Sequence, residues 1–581
     1  MLLPICSSAQ QVVGIDLVKK ALGVAETEEL DPDEVERLED ILRHPISINT
    51  STAPVLDKSG LFTAFQIASL IDYRARHGDI LSLLELSSLD GFSEDFVTAI
   101  APFITIELKK SIGGIARTNS VQHDMYVRNG VRSDGNKYMY GLKYRIRNDC
   151  LGLSFSVNNA YADTTPYPIC SGNLSWSHSH GKIIVGDFNA RLGQGLCIWN
   201  TAVYSGLTTP AAFMKKPSGV SSTFSFSGSS ALTGVAADYW SGRWKLTAFI
   251  SAPGIKDIRD KPHKIVLNPV MNVSRYGRLG VVSLTHTMTI DELYMNLSTC
   301  RIPDMKSSVD ASLCIGGINI FGETAYSWVF RKVGAIAGTD FMAGESLRMA
   351  AMLKYLPYGP FSNEYCAALS AELKEGRWVK IAVPGTYVNT LRSNTCNFSA
   401  EASYYPESKA KDGKKSIQVK FYADWIYIPV EWLQFKIRIS ERLRTWGRSM
   451  RTDMRFDAAF IVDKLTLSLR MNALRCVDVG LLSYIEARYQ NAKIDTGIRT
   501  GLFKIDDWDD RIYVYERDAP GNFNVPSYYG RGFWIASYTA WKYARWGRLS
   551  VRASYVDYPF MAKEKKKPGR AELKIQGVFM F

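Results

Sequence analysis

Arg570–Ala571–Glu572–Leu573–Lys574–Ile575–Gln576–Gly577–Val578–Phe579–Met580–Phe581, the last twelve residues, decide how the chain is read. The odd positions are Ala, Leu, Ile, Gly, Phe and Phe, and the even ones begin Glu, Lys, Gln. A strand sends alternate side chains to opposite faces, so this one has an apolar face and a wet face. It stops on an aromatic residue, the ending expected where the final strand of a membrane barrel meets the interface.

The same period of two runs backward from there. Leu549, Val551, Ala553 and Tyr555 alternate with Arg548, Ser550, Arg552 and Ser554; Leu433, Phe435, Ile437 and Ile439 alternate with Gln434, Lys436, Arg438 and Ser440. Near the start of the region, Tyr138, Tyr140, Leu142, Tyr144 and Ile146 alternate with Lys137, Gly141, Lys143, Arg145 and Arg147. A tight Asn148-Asp149 turn then leads to Leu151, Leu153, Phe155 and Val157. Cationic side chains keep to one face, which in a membrane barrel is the lumen, where water or a plug satisfies them. No blade-length repeat supports a propeller. At about 20 residues per strand with its loop, residues 112–581 hold roughly 20–26 strands of a large transmembrane antiparallel β-barrel.

Composition agrees. No run of about 18 apolar residues exists, which excludes helical membrane spans but not alternating strands. The chain has 581 residues, 46% of them hydrophobic, with a mean hydropathy of −0.10. Its 30 Tyr and 13 Trp suit aromatic girdles. The net charge of +13 points to anionic partners: nucleic acid, lipid phosphates or acidic glycans. Nine Cys without a CxxC pair predict isolated thiols or one or two bridges. Ser7-Ser8-Ala9 before Gln10 reads as the end of a signal-peptide remnant spanning residues 1–9.

Two helical regions precede the barrel. Residues 10–45 are acidic, and Asp31-Pro32-Asp33-Glu34 opens a helix through Leu38, Ile41 and Leu42, its charges expected to form a solvated face. Residues 46–106 predict a short helix turning at Ser59-Gly60-Leu61, a longer one stopped by Gly78, a third at Leu83–Leu86, and a fourth after Asp90-Gly91-Phe92-Ser93. Pro102–Ile106 closes the unit.

The Ile48-Asn49-Thr50 opening, Ile71-Asp72-Tyr73-Arg74 and Pro102-Phe103-Ile104-Thr105-Ile106 resemble the tandem helix-hairpin-helix domain of competence-type DNA-receptor proteins. The whole chain resembles Gram-negative outer-membrane barrel proteins with a helix-hairpin-helix domain. The terminal Phe581 resembles the signal read by the barrel-assembly machinery, a partner during biogenesis. The resemblance implies an outer-membrane address, lipid around the barrel, the N-terminal domain in the periplasm, and DNA held without base reading. In such hairpins a Gly-hydrophobic-Gly turn brings backbone amides to phosphates. The matching positions are Gly60, Leu61 and Phe62, and Gly91, Phe92 and Ser93, with Lys58, Arg74 and Arg76 beside them; each hairpin keeps its first glycine and lacks the second.

Three function classes follow: DNA handling by residues 46–106; an envelope assembly or secretion component whose hairpin domain docks a periplasmic or outer-membrane protein; and a barrel enzyme acting on lipid or protein. No catalytic motif speaks for the third, and no cofactor is implied. His178 and His180 share one strand face as a metal pair lacking a third ligand. Gly186-Asp187-Phe188 and Arg191-Leu192-Gly193-Gln194-Gly195 predict a bend where backbone approaches a plug or the inner wall. Tyr513–Pro520 and Tyr528–Gly532 lie in or beside a long extracellular segment.

Overall fold

The computed structural model describes residues 14–106 and 121–581, apart from 136, 149, 160, 162–168, 179, 201–205, 227–230, 253–264, 278, 294–300, 384–385, 410–414 and 563–566. The expected signal remnant lies outside the described residues. From Gln122 onward the period of two becomes a meander in which each strand pairs antiparallel with its neighbours. The first and last strands, Gln122–Arg132 and Arg570–Met580, pair with each other from Glu572 opposite Arg132 to Met580 opposite Asp124, and this seam closes the barrel. The short strand Gly219–Ser222 pairs with Gly181–Arg191, which itself pairs directly with Leu232–Ser241. Gly219–Ser222 is therefore turned inward, and 24 strands make the wall.

Burial is inverted relative to a water-soluble protein. Lys143, Thr247, Thr285, Ser370, Ser550 and Gln576 face inward and are at most 1% exposed. Phe155, Trp176, Leu284, Leu353, Ile485 and Leu502 face outward and are exposed. An apolar outer surface on a closed barrel is stable only in lipid, where closure leaves no unpaired edge. The chain is an outer-membrane β-barrel. One rim carries turns of only two to four residues, the other the long segments 192–231, 506–529 and 558–569. By the usual asymmetry of such barrels the short turns face the periplasm. Phe581 lies at that rim: its amide donates to His123 O (3.0 Å), its carbonyl accepts from His123 N (2.7 Å), and the two rings stack 5.1 Å apart. The terminal aromatic thus fastens the closing seam.

Before the barrel the described residues form six α-helices: α1 Gly14–Leu22, α2 Pro32–Arg43, α3 Ala53–Ser59, α4 Ala64–His77, α5 Leu83–Ser87 and α6 Glu94–Ile100. Each of the last four is bounded by local chemistry. Gly60, at φ 61°, ends α3 in the left-handed region, where a side chain is strained. Thr63 and Gln66 form a reciprocal capping box at the start of α4. Ser82 and Ser93 accept from Glu85 N and Phe96 N to cap α5 and α6. Ile46-Ser47 pairs in parallel with Ile104-Thr105, so the ends of the unit meet. Leu38, Ile48, Leu56, Ile67, Leu70, Leu86, Ile100 and Phe103 fill its core.

Placing a charge on the outer wall tests this assignment. Ile485→Arg, midway along the strand Val479–Gln490, is expected to destabilise the folded barrel by about 2–4 kcal/mol in urea titrations followed by heat-modifiable gel mobility.

Candidate functional site

Between Glu26 and Asp40 stand nine carboxylates and one base, Arg37. On a solvated face these would be spread in water; here they meet the barrel wall. Glu26 binds Lys436 Nζ (2.8 Å) and Arg455 (2.6 Å), and Glu28 binds Arg470 (2.7 Å). Glu34 binds Arg191 (2.6 Å), Glu36 binds Lys143, and Asp40 binds Arg145 (2.7 Å). Asp57, at the end of α3, binds Lys245 Nζ (2.5 Å). These bases sit on strands 137–147, 181–191, 244–251, 433–444, 450–462 and 465–475, spread around the circumference. One compact segment can touch all of them only from inside. The expectation of a solvated acidic face is corrected: its charge pattern is the complement of the lumen. The helical unit expected to hang in the periplasm is seated inside the barrel and plugs it.

Aromatic side chains and inward loops complete the seat. Arg43 lies over the Tyr126 ring, and Lys143 lies among Tyr126, Phe224 and Phe226 at 4.5–4.7 Å from their centroids. From the long-loop side, Gly521 N donates to Glu39 (3.2 Å) and Tyr515 N to Glu28 (3.2 Å). Lys574 and Arg552 on the wall hold the same loop through Asp518 and Glu516. Gly193 approaches the inner wall at Glu323, and Gly195 packs against Lys215 and Trp199. Gln194 N and Leu196 N both donate to Glu323 Oε2 (2.7 and 3.0 Å). A Cβ on Gly193, whose φ is 56°, would stand 2.8 Å from that oxygen.

Burial of these carboxylates would raise their pKa values, yet the paired cations dominate. Arg455, Lys436 and Arg438 hold Glu26 well below the usual range, and Arg470 and Arg455 do the same for Glu28. Glu29 is the exception: burial and the adjacent Glu26 charge push it up to about 8, and its Oε2 has no hydrogen-bond partner among the described residues. Glu29 borders a chamber of about 630 Å³ between residues 22–34, the inward segments 194–199 and 206–216, and the wall at Ile336, Met352 and Glu364. Lys215 reaches this chamber beside the Trp199 ring, 4.7 Å from its centroid; burial and Lys354 push it down to about 8.

The positions singled out in the sequence divide between two environments. Leu61 and Phe62 are in the helical core. Around them the first hairpin is already occupied: Arg37 donates to Ser59 O, Lys216 donates to Leu61 O (3.2 Å), and Leu61 N donates to Ser59 Oγ (3.1 Å). A Cβ on Gly60 would collide with the Arg37 guanidinium. With Gly60 N donating to Asp57 O (3.1 Å), the Gly60 and Leu61 amides and the Ser59 and Leu61 carbonyls are engaged within the protein in the seated state. The second hairpin faces solvent instead of the barrel, with Gly91 and Ser93 exposed and Phe92 packed against Phe62 and Phe96; within the helical unit Gly91 O accepts from Gln66 Nε2 (2.7 Å) and Phe92 N donates to Leu89 O (3.0 Å). Arg74 donates to Ser51 O (2.7 Å), and Arg76 pairs with Asp72 in solvent (2.7 Å). The Lys58 side chain is outside the described residues.

His178 and His180 stand 6.1 Å apart, and no third metal-ligating side chain joins them among the described residues. Asp40, His44 and Asp124 do converge, but Arg145 and Arg147 already bind both carboxylates. The described cysteines, 150, 170, 197, 314, 366, 396 and 476, are all free thiols, so the expectation of a bridge finds no pair among them. What sequence reading missed is the acid-to-base match itself. Its signal was present: a dense acidic segment ahead of strands whose cations keep to one face.

Two substitutions probe the seat. Arg455→Ala leaves Glu26 and Glu28 short of a cation and is expected to weaken plug seating by about 3–5 kcal/mol, read as faster hydrogen exchange over residues 24–43; Arg76→Ala is expected to leave that exchange unchanged. Glu29→Gln tests the raised acid. Between the unfolded carboxylate pKa and about 8 the folded state holds one more proton at Glu29 than the unfolded state, so wild-type stability falls as pH rises through that window. The amide removes that slope. It is expected to be near neutral at pH 5 and stabilising by roughly 1–3 kcal/mol at pH 8.5, measured by thermal unfolding at both values.

No protein-family model and no curated protein matches the chain. Among solved structures it is similar to the siderophore receptor PirA from Pseudomonas aeruginosa, at 8% identity over 80% of each chain with a TM-score of 0.40. It is also similar to the copper transporter OprC, at 9% identity over 80% of this chain and 81% of that one with a TM-score of 0.36. The P pilus usher PapC translocation pore aligns at 7% identity over 79% of this chain and 99% of that one with a TM-score of 0.31. At such identities and scores these likenesses say nothing of what the chain carries or binds.

Proposed function

We propose that this outer-membrane barrel is a gated conduit for anionic cargo and that the helical unit is its gate. The observation that carries the reading is the ionic seat. A permanent stopper would be held at least as well by apolar packing, because buried ion pairs barely exceed their own desolvation cost. An ionic seat instead offers many separate contacts that a competing charge can exchange. Withdrawal of the plug would bare Lys143, Arg145, Arg191, Lys436, Arg455 and Arg470, a cationic lining that focuses anions.

DNA is the cargo that joins this lining to the resemblance of residues 46–106 to helix-hairpin-helix DNA receptors. In the seated state the hairpin at Gly91–Ser93 faces solvent while that at Gly60 is covered, so DNA held by both hairpins requires the plug to leave its seat. A second reading, a docking module for a periplasmic protein, is favoured by the α4–α5 face: Leu81 and Leu84 are 70% and 77% exposed, with Leu83 beside them.

Planar-bilayer recording tests the gate. The wild-type protein is expected to stay closed. Glu26→Lys combined with Glu28→Lys, which sets like charges against Lys436, Arg455 and Arg470, is expected to give anion-selective openings. A barrel lacking residues 14–106 that inserts yet never conducts would sink the conduit reading. Salt-sensitive duplex binding by the double variant, absent in wild type, separates DNA from other anions.

A further inference from the structure

The lipid-facing wall is not uniformly bulky. Across strands 433–505 the outward positions carry Ile437, Ile439, Met454, Met471, Leu481 and Leu502, all exposed. At two outward positions among them the side chain is small: Ala473 and Ser483. The result is a groove of about 850 Å³ in the outer wall, floored by the small pair and flanked by Met471, Met454 and Leu502. In the membrane such a groove is always covered by lipid.

Its upper end has different chemistry. Lys504, one residue from the end of its strand at the long-loop rim, lines the groove together with Arg531 and Phe560. Arg531 is forked onto Asp506 (2.5 and 2.8 Å), so its charge is offset. Lys504 is exposed, and no ion pair engages it among the described residues. Phe560, 62% exposed, stands beside this cation at the level of an aromatic girdle. The groove therefore presents a net positive charge at headgroup depth, Lys504 and Arg531 against the single carboxylate of Asp506, and a smooth apolar channel below it, a layout complementary to an anionic head on an acyl chain.

We propose that this groove binds one phosphate-bearing, acylated lipid of the outer leaflet, its phosphate on Lys504 and an acyl chain lying across Ala473 and Ser483. The site is independent of the plug: its side chains face the bilayer, whereas the ionic seat faces the lumen. A lipid held there bridges six neighbouring strands on the arc whose inner face carries Lys436, Arg455 and Arg470.

Native mass spectrometry of the full-length protein in detergent, titrated with bis-phosphorylated lipid A, tests the site. One tightly retained molecule is expected. Lys504→Glu should weaken retention roughly tenfold, because the reversal removes a membrane-surface lysine's attraction for the phosphate and adds a repulsion. Ala473→Leu with Ser483→Leu should abolish retention by filling the groove, while heat-modifiable mobility stays that of wild type, since neither side chain touches the lumen. Dephosphorylated lipid A and inorganic phosphate should each bind far more weakly than lipid A. Equal retention of lipid A and its dephosphorylated form, wild-type retention by the filled-groove variant, or retention of a zwitterionic phospholipid independent of Lys504 would each overturn the proposal.

Discussion

The contact on which the rest of this molecule depends is acid against base across the lumen. A wall of 24 strands encloses more space than its own side chains fill, and its inward positions are polar because its outward ones are committed to lipid. The lumen must therefore be filled by something equally polar. Residues 26–57 meet that demand with Glu26, Glu28, Glu34, Glu36, Asp40 and Asp57 set against six strands of the wall. Removing either partner would leave a buried charge unmatched, which is costlier than the pair is stabilising. Plug and wall are thus mutually required, although neither is the hydrophobic core of the other.

Closure is reinforced at both ends of the barrel. At the periplasmic rim Phe581 stacks on His123 where the last strand meets the first, so the closing seam ends in a paired backbone and a stacked ring. At the opposite rim, loops that would otherwise stand in solvent fold inward over the plug. Gly193 lets the backbone approach Glu323 closely enough for two amides to share one carboxylate oxygen. Asp518 and Glu516 anchor the second loop to Lys574 and Arg552. The same rule operates at every level: a carboxylate taken out of water is met by a cation or by backbone N–H groups.

Much of this was legible in the sequence, and the reason is periodicity. Alternation such as Leu549–Arg552 or Leu573–Gln576 is local, and strand, face and hairpin follow from it directly. The helices over 53–59, 64–77, 83–87 and 94–100 were equally legible because Gly60, Gly78, Ser82 and Ser93 punctuate them. The placement of the unit was not. Glu26 meets Lys436 across 410 residues, and a charged helix face has the same pattern whether it borders water or a basic wall. That the hairpin at Gly60 is covered in the seated state was hidden for a related reason. Its occupants, Arg37 and Lys216, come from another helix and from a barrel loop, and neither is near it in sequence.

An ionic seat also explains how a plug can be firm and removable at once. Its strength is a small difference between large desolvation and Coulomb terms, so a modest change in either shifts it strongly. Apolar packing has no such lever, since it yields only in proportion to the area exposed. Glu29 shows where the balance already leans. It sits beside Glu26 with no ion pair among the described residues, is pushed up to about 8 by burial and that neighbouring charge, and borders the chamber that Lys215 enters. Ionising that single group would add uncompensated charge where plug, inward loop and wall meet. The contact between plug and wall is therefore weakest beside Glu29.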